Sequence, residues 1–498
     1  MSRPERPRPT GGPGDLVLGV DLGTTGFKAG AFDAEGHLVA AGKVEYALDR
    51  PRAAWAEQPA ERWWEAFELV LSQIRENVDT RLIRAISVAG QSPTVVPVGP
   101  DGAALRPAIT WADRRAVAQA AWMTETLGAG FVSIEFESLP RVLWIRDNEP
   151  EVFGRTAAFL QSYEYLALRL TGAAVTIEPL DGLPSWTDDR LERLGLERTR
   201  FPARTVGAGR VIGTVRPAVA EAIGLHPEAQ VVSGTVDAFA HWIGVNLSRH
   251  CQLSNIGGTS EGVAFASDAP LTDPRHRVFR MRSPFGAGWV IGGAMSNSGG
   301  LLDWAVAKLG GQRADHDSVL AAIARVRPGS EGLIALPYFR GERTPIYDAD
   351  ARGCFFGVTA EHGPEHLGRA LLEGVAFGLR QVVGILSDIG GDVERVVISG
   401  GTARAAAWNR IKADVLGKPV HVPSVTDSGV LGAAILARAA VSDEPLSQVA
   451  QRMVHDREVI EPDAKNTAVY DQTYPLFLEL YERLKEPYRR LAELSPSA

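Results

Sequence analysis

Residues 17–39 read VLGVDLGTTGFKAGAFDAEGHLV: two apolar runs parted by Asp21-Leu22-Gly23-Thr24-Thr25-Gly26. The first run predicts a buried strand, and that strand stops where glycine and threonine begin. Such a turn presents bare backbone N–H groups and hydroxyls, which suit phosphate oxygens. An aspartate beside it suits a metal ion or a metal-bound water. The same residues also suit an ordinary β-hairpin, with glycine supplying the turn geometry. The stretch alone leaves both readings open, and the rest of the chain has to decide.

Outward from this turn, GFKAGAFD and HLVAAGKVEYAL predict two further strands joined by the turn AEG. In PAERWWEAFELVLSQIREN, Trp63, Trp64, Phe67, Val70, Leu71 and Ile74 recur at helical spacing. Pro59 stands just ahead, where helices often begin. IRAISVAGQ then predicts a strand and TVVPVGPDGAAL the start of another, so the order is mixed α/β. The second half repeats the plan. CQLSNIGGTSEGVAFASD (251–268) is strand, Gly-Thr-Ser turn, strand. The helical GPEHLGRALLEGVAFGLRQVVGILSDI (363–389), the strand RVVISGG (395–401) and the helical AAAWNRIKADVLG follow. The halves read as copies of one architecture with a boundary near 247–251, giving lobes 15–249 and 250–498. Two such lobes facing each other would enclose a cleft, where ligands usually sit. The closing YDQTYPLFLELYERLKEPYRRLAEL predicts an amphipathic helix broken near Pro487.

Composition narrows the classes. The chain has 498 residues, 45% hydrophobic and 22% charged, as in a soluble globular protein of two domains or more. A formal charge of −8 gives no basic footprint for nucleic acid or an anionic membrane. No apolar run reads as a membrane span. The first fourteen residues, MSRPERPRPTGGPG, read as a disordered tail, since they lack the apolar centre of a signal peptide. Cys251 and Cys354 stand far apart and support neither a zinc site nor a disulfide framework, so a reducing, cytoplasmic setting is expected.

Four groups of residues could carry chemistry. DLGTTG and GGTSEG head the two halves, and turns in corresponding positions suggest one nucleotide tail gripped from both. Neither a GxxxxGK[ST] P-loop nor a GxGxxG dinucleotide turn is present. In VVSGTVDAFAHWIGVNL (231–247), Asp237 sits at a strand-to-helix junction, as a helix N-cap or as a general base. GQSPTVVPV and PAITWADRR bring Gln91, Ser92, Trp111, Asp113, Arg114 and Arg115, a mixture suited to a polyhydroxylated substrate or to a polar surface loop. Last, Gly400-Gly401 closes a strand just before a helix, where a flat ring could approach the backbone or a tight connection could form.

With these segments in order, the sequence resembles the FGGY family of carbohydrate kinases over about residues 16–485. VDLGTTGFKAGAFD and IGGTSEG are similar to the family's two phosphate motifs, and TWADRR to its Trp-x-Asp-x-Arg stretch. FESLPRVLWIRDNEPEVF and GCFFGVTAEHGPEHLGRALLEG resemble its two signature segments, with departures at Arg141 and Leu371. LPYFRGERTPIYD matches as well, and SGGTARAAAWNRIKADVLGKPV resembles its adenosine motif. The resemblance implies two ribonuclease-H-like lobes of the actin, Hsp70 and hexokinase type around a central cleft, and transfer of the ATP γ-phosphate to a sugar hydroxyl with Mg²⁺. Carried over, Asp237 matches the catalytic base and Asp21 the acid near the metal. Thr24, Thr25, Lys28, Gly258, Thr259 and Ser260 fall around the phosphates, and Gly400, Gly401 and Asn409 on the adenosine side. Gln91, Ser92, Trp111, Asp113 and Arg115 fall, with Asp237, on the sugar side.

The likeness is nearest to xylulokinases, through WAEQPAERWW, LRPAITWADRR and LWIRDNEPEVF. Ser92-Pro93 replaces that pattern's Met-His, and Ala238 its Asn after the base, so a ketose, an alditol or a sugar acid all remain open. The expected partners are the sugar and ATP, with no nucleic acid or membrane and a homodimer left open. An actin- or Hsp70-like ATPase, which needs neither TWADRR nor a base at Asp237, and a non-catalytic sugar sensor, which would be expected to carry a fused DNA-binding segment, are the rival readings.

Overall fold

In the computed structural model, which describes residues 15–128, 137–180, 186–311 and 314–494, the stretch LVLGVDL is a strand buried at every position. The proposed tail, residues 1–14, lies outside the described residues. This strand, β1 (Leu16–Leu22), pairs antiparallel with β2 (Gly26–Phe32), and β2 pairs antiparallel with β3 (Leu38–Glu45). On its other side β1 runs parallel to β4 (Ile83–Gly90), and β4 runs parallel to β5 (Gln230–Val232). A short antiparallel strand, Val211–Thr214, closes that edge.

A strand buried on both faces needs cover on both. Helix Ala60–Arg75 lays Trp63, Phe67, Val70, Leu71 and Ile74 into the core shared with β1, β2 and β4. The other cover comes from far along the chain. Helix Ser428–Ser442 lies so close to β1 that a Cβ at Gly19 would collide with the Val430 carbonyl.

The same helix meets helix Asp237–Gly244 backbone to backbone. A Cβ at Gly244 would strike the Ser428 carbonyl, and one at Gly432 the Ala240 carbonyl. The chain therefore divides into one unit of residues 1–246 with 428–454 and a second of 247–427 with 455–498. The contiguous lobe 250–498 expected from the sequence gives up 428–454, because those glycines let the returning helix pack on the first sheet.

The second unit repeats the order. β6 (Gln252–Gly257) pairs antiparallel with β7 (Glu261–Ser267), and β7 antiparallel with β8 (Trp289–Met295). β6 runs parallel to β9 (Arg395–Gly400), and β9 parallel to β10 (Val420–Pro423). The order β8-β7-β6-β9-β10 is that of β3-β2-β1-β4-β5, so one mixed α/β core occurs twice.

Helix Pro364–Asp388 runs through this unit's core. By length and apolar composition it could cross a membrane, against the expectation that no segment could; 72% of its most apolar window is buried inside the fold, which makes it a core helix. The terminal helix Ala464–Leu494 contains Pro475 and continues through Pro487 as well, near which a break is expected from the sequence. Tyr470, Phe477, Tyr481 and Tyr488 are all buried on the core, and that packing holds the helix across two positions that lack a backbone donor.

Candidate active site

In the first unit, Asp21 sits near the end of β1, paired in register with Lys28 on β2 and Ala89 on β4. Gly90, the last residue of β4, bridges to Val236 and donates its N–H to the Thr235 carbonyl at 3.1 Å. Asp21, Gln91-Ser92 and Asp237 thus emerge together beyond the carboxyl ends of parallel strands, where open α/β sheets bind ligands.

Asp237 is the first residue of its helix rather than the N-cap, a place taken by Val236. Its Oδ1 accepts the neighbouring Ala238 N–H at 2.7 Å. Its carboxyl is pushed up from 3.8 to about 7, first by desolvation and then by the charge of Asp21. The side chain keeps partial contact with water, yet protein atoms crowd it on the longer scale over which desolvation acts.

The Gly-Thr turn is held shut by Gly23 N–H to the Gly26 carbonyl, 3.0 Å, and by Tyr46 Oη on the Gly23 carbonyl, 2.7 Å. From it a chain of hydrogen bonds runs to the end of β4. Trp111 Nε1 donates to Thr24 Oγ1 at 2.7 Å, and Gln58 Nε2 donates to the Thr24 carbonyl at 2.7 Å. Gln58 Oε1 in turn accepts from Gln91 Nε2 at 2.7 Å and from Trp63 Nε1 at 3.2 Å. The Gln91 Oε1 is buried and has no hydrogen-bond partner. Thr25 is exposed at the tip of the turn.

Asp113 and Arg115, expected on the sugar side, are turned inward. Their side chains are 0% and 1% exposed and pair at 2.7 Å. Arg115 also reaches Glu57 at 2.7 Å and lies 3.5 Å over the Trp55 ring. Asp113 Oδ2 accepts the Ala56 N–H at 2.6 Å. Arg141 is buried behind them, donating to the carbonyls of Thr110 at 3.1 Å and Trp111 at 3.0 Å. These charges brace the loop that presents Trp111, itself 38% exposed.

In the second unit, Gly258 and Thr259 are exposed at the tip of the β6–β7 turn, with Ser260 half-buried. Gly258 N–H closes the turn on the Ser260 carbonyl at 2.8 Å. The N–H groups of Gly299 and Gly300, opening helix Gly299–Leu309, bind the Gly258 and Thr259 carbonyls at 2.9 and 3.3 Å. Below the turn, Lys412 is buried against Glu261 and donates to Asn255 Oδ1 at 2.6 Å, while Ser298 donates to Glu261 at 2.9 Å. A cavity of ≈ 290 Å³ opens beside Thr259, lined among others by Asn297, Gly300, Asp303, Trp304, Phe339 and Arg340.

Gly400 has φ 80°, and a Cβ there would meet the Gly257 carbonyl, so only glycine fits this strand end. Asn409, expected near adenosine, is 1% exposed and donates to the Ala403 carbonyl at 2.9 Å, which holds the turn 401–404. Neither it nor Gly400 and Gly401 lines the cavity by Thr259.

One core thus occurs in two copies, each opening on a glycine–hydroxyl turn, and the first carries two acids at its strand ends; the family matches make this a phosphotransferase. The family models agree: "FGGY family of carbohydrate kinases, N-terminal domain" matches residues 16–244, and the C-terminal domain of the same family matches 253–441. The chain belongs to the FGGY family of carbohydrate kinases, phosphotransferases whose donor is ATP.

It is 31% identical over 485 residues to a xylulose kinase of Escherichia coli K12, covering 94% of this chain and 99% of the relative. A gluconokinase of Bacillus subtilis is 29% identical over 506 residues, 96% of this chain and 98% of that one. The solved structure of a ligand-bound xylulose kinase from Lactobacillus acidophilus superposes with a TM-score of 0.82 at 26% identity, covering 96% of this chain and 100% of the other.

Sequence reasoning missed three parts. Gln58 lies inside the quoted WAEQPAERWW, yet nothing local shows that it links Thr24 to Gln91. The cavity residues 296–304 carry no motif of their own, while Phe339 and Arg340 fall within LPYFRGERTPIYD. Tyr163 follows the end of a short strand and gives no signal beyond its ring.

Proposed function

We propose that the first unit binds a sugar, a ketose such as xylulose or a related alditol or sugar acid, and that Asp237 takes the proton of the attacking hydroxyl. The observation that supports this best is the pair of acids flanking β4, with Asp237 held near 7 by burial and by Asp21. A base at that value is half ionised near neutral pH and matched to proton transfer there. Gln91, Ser92 and Trp111 would face the sugar. Asp113 and Arg115 would act beneath the loop.

The phosphates would lie against Thr24, Thr25 and Lys28 in the first unit and Gly258, Thr259 and Ser260 in the second. The nucleoside would use the second unit's cavity and the strand end at Gly400-Gly401. Asp21 is a hard oxygen donor beside a phosphate turn, and this fits Mg²⁺, which is commonly held by one or two carboxylates plus substrate phosphates. When bound, Mg²⁺ neutralises charge on the phosphate oxygens. The chain's own part is to position the acceptor, hold a proton at Asp237 and offer turn N–H groups to the phosphates.

An ATP-coupled assay over ketoses, alditols and sugar acids, with Mg²⁺ titrated in wild type and Asp21→Ala, tests this reading. Sugar-dependent ADP release and a raised Mg²⁺ requirement in the variant are expected. ADP release independent of every sugar would overturn it in favour of a plain ATPase, and an unchanged Mg²⁺ requirement would return Asp21 to the hairpin.

A further inference from the structure

The phenol of Tyr163 stands at the start of helix Ser162–Thr171, 1% exposed, and its hydroxyl has no hydrogen-bond partner. A buried hydroxyl without a partner costs about 1–3 kcal/mol, so native folds seldom keep one without a use. Its surroundings place it in the candidate sugar site. A Cβ at Gly90 would come to 3.4 Å from the Tyr163 Cβ and ring, so the ring packs on the last residue of β4. Ser162 Oγ donates to the Gln91 carbonyl at 2.8 Å, which fixes the helix start against the same strand end. Ser92 stands close enough to act on the phenol without reaching hydrogen-bond geometry, and its Oγ lies 3.4 Å from Gln161 Oε1. Asp237 acts on the phenol as well. Tyr163 Oη and Gln91 Oε1 are thus two unpartnered buried polar atoms beside the acid.

We infer that Tyr163 is a specificity-determining residue whose hydroxyl binds a hydroxyl of the acceptor, and that the acceptor is a neutral ketose or alditol rather than an aldonate. The inference rests on the sugar site proposed above and narrows its substrate class. The groups gathered there are a phenol, a serine hydroxyl and amide oxygens, which exchange hydrogen bonds with hydroxyls. Burial first, then Glu164 and Asp237, keeps the phenol protonated and able to donate. An aldonate would bring a carboxylate into the field of Asp21 and Asp237, and such a charge needs a cation once desolvated. Lys28, which stands opposite Asp21 in register, is assigned above to the phosphates. Around Trp111, Arg115 is already paired with Asp113 and Glu57, and Arg114 and Arg141 lie against the Trp111 carbonyl, at 3.4 and 3.0 Å.

The test is kcat/KM of wild type and Tyr163→Phe on neutral ketoses and alditols, their monodeoxy analogues and aldonates. Wild type should prefer a neutral acceptor at least tenfold over every aldonate. Tyr163→Phe should lower kcat/KM for the best acceptor roughly 10- to 100-fold, mainly through KM, as expected for a buried hydroxyl left unpaired. One monodeoxy analogue should be equally poor for both enzymes, which a merely structural role for the ring would not produce. An aldonate at the head of the wild-type ranking overturns the proposal, and that ranking needs no variant to fold. A Tyr163→Phe enzyme within twofold of wild type on all acceptors, or one impaired equally on every analogue, also overturns it. Failure of the Asp237 assignment would appear separately, as turnover surviving in Asp237→Asn whatever the ranking.

Discussion

Asp237 at about 7 has a kinetic consequence that can be worked out before any assay. A general base acts ionised, and a raised acid pKa means ionisation is lost as pH falls through about 7, not through 3.8. At pH 5, two units lower, roughly one molecule in a hundred has the base free, so kcat/KM should fall to about 1% of its plateau. An aspartate at its ordinary value would still be more than nine-tenths ionised there. Burial is the larger cause and the charge of Asp21 the next, while the Ala238 N–H acts the other way. Asp21→Asn should therefore move the acid limb down, leaving the part that burial causes. At pH 6 the variant should keep a larger share of its own plateau than the roughly one-tenth that wild type keeps.

The assay is initial rate against pH from 5 to 9 with both substrates below KM, so that the free enzyme's ionisation is read. Ionisation of the substrates is common to both enzymes and cancels in the comparison. A wild-type profile flat down to pH 5, or an Asp21→Asn limb unmoved or moved upward, would refute the reasoning.

Two further outcomes follow from packing. Arg115→Ala leaves Asp113 buried without its paired guanidinium, while Glu57 keeps Arg106; denaturant unfolding should show a loss of about 3–5 kcal/mol, while KM for the sugar, measured well below the unfolding range, changes little. Gly432→Ala drives a Cβ into the Ala240 carbonyl on the helix that begins with Asp237; kcat should fall at least tenfold with ATP affinity kept, as comparison of steady-state rates with nucleotide titration would reveal.

Much of this molecule was legible because its signals are local. VLGVDLGTTG declares a buried strand and the turn that ends it within ten residues, and CQLSNIGGTSEG repeats the pattern, so the doubled core could be read by eye. What stayed hidden depends on partners distant in sequence. Asp113 and Arg115 look like substrate ligands until Glu57 and Trp55 are found against them. The return of 428–454 to the first unit turns on Gly19, Gly244 and Gly432, glycines whose need is set by another element's backbone. Asn409 sits in the right motif, yet its amide is spent on the Ala403 carbonyl. Pro487 reads as a break in any local scheme, and only the buried Tyr481 and Tyr488 around it explain why the helix continues.

The central claim is that Asp237 takes the acceptor's proton, and Asp237→Asn tests it most directly. The amide keeps the size and removes the base. Sugar phosphorylation at pH 8 should fall by 10²-fold or more, the range general base catalysis supplies, while the Kd for ATP stays within a few-fold of wild type. Turnover above about a tenth of wild type would contradict the assignment.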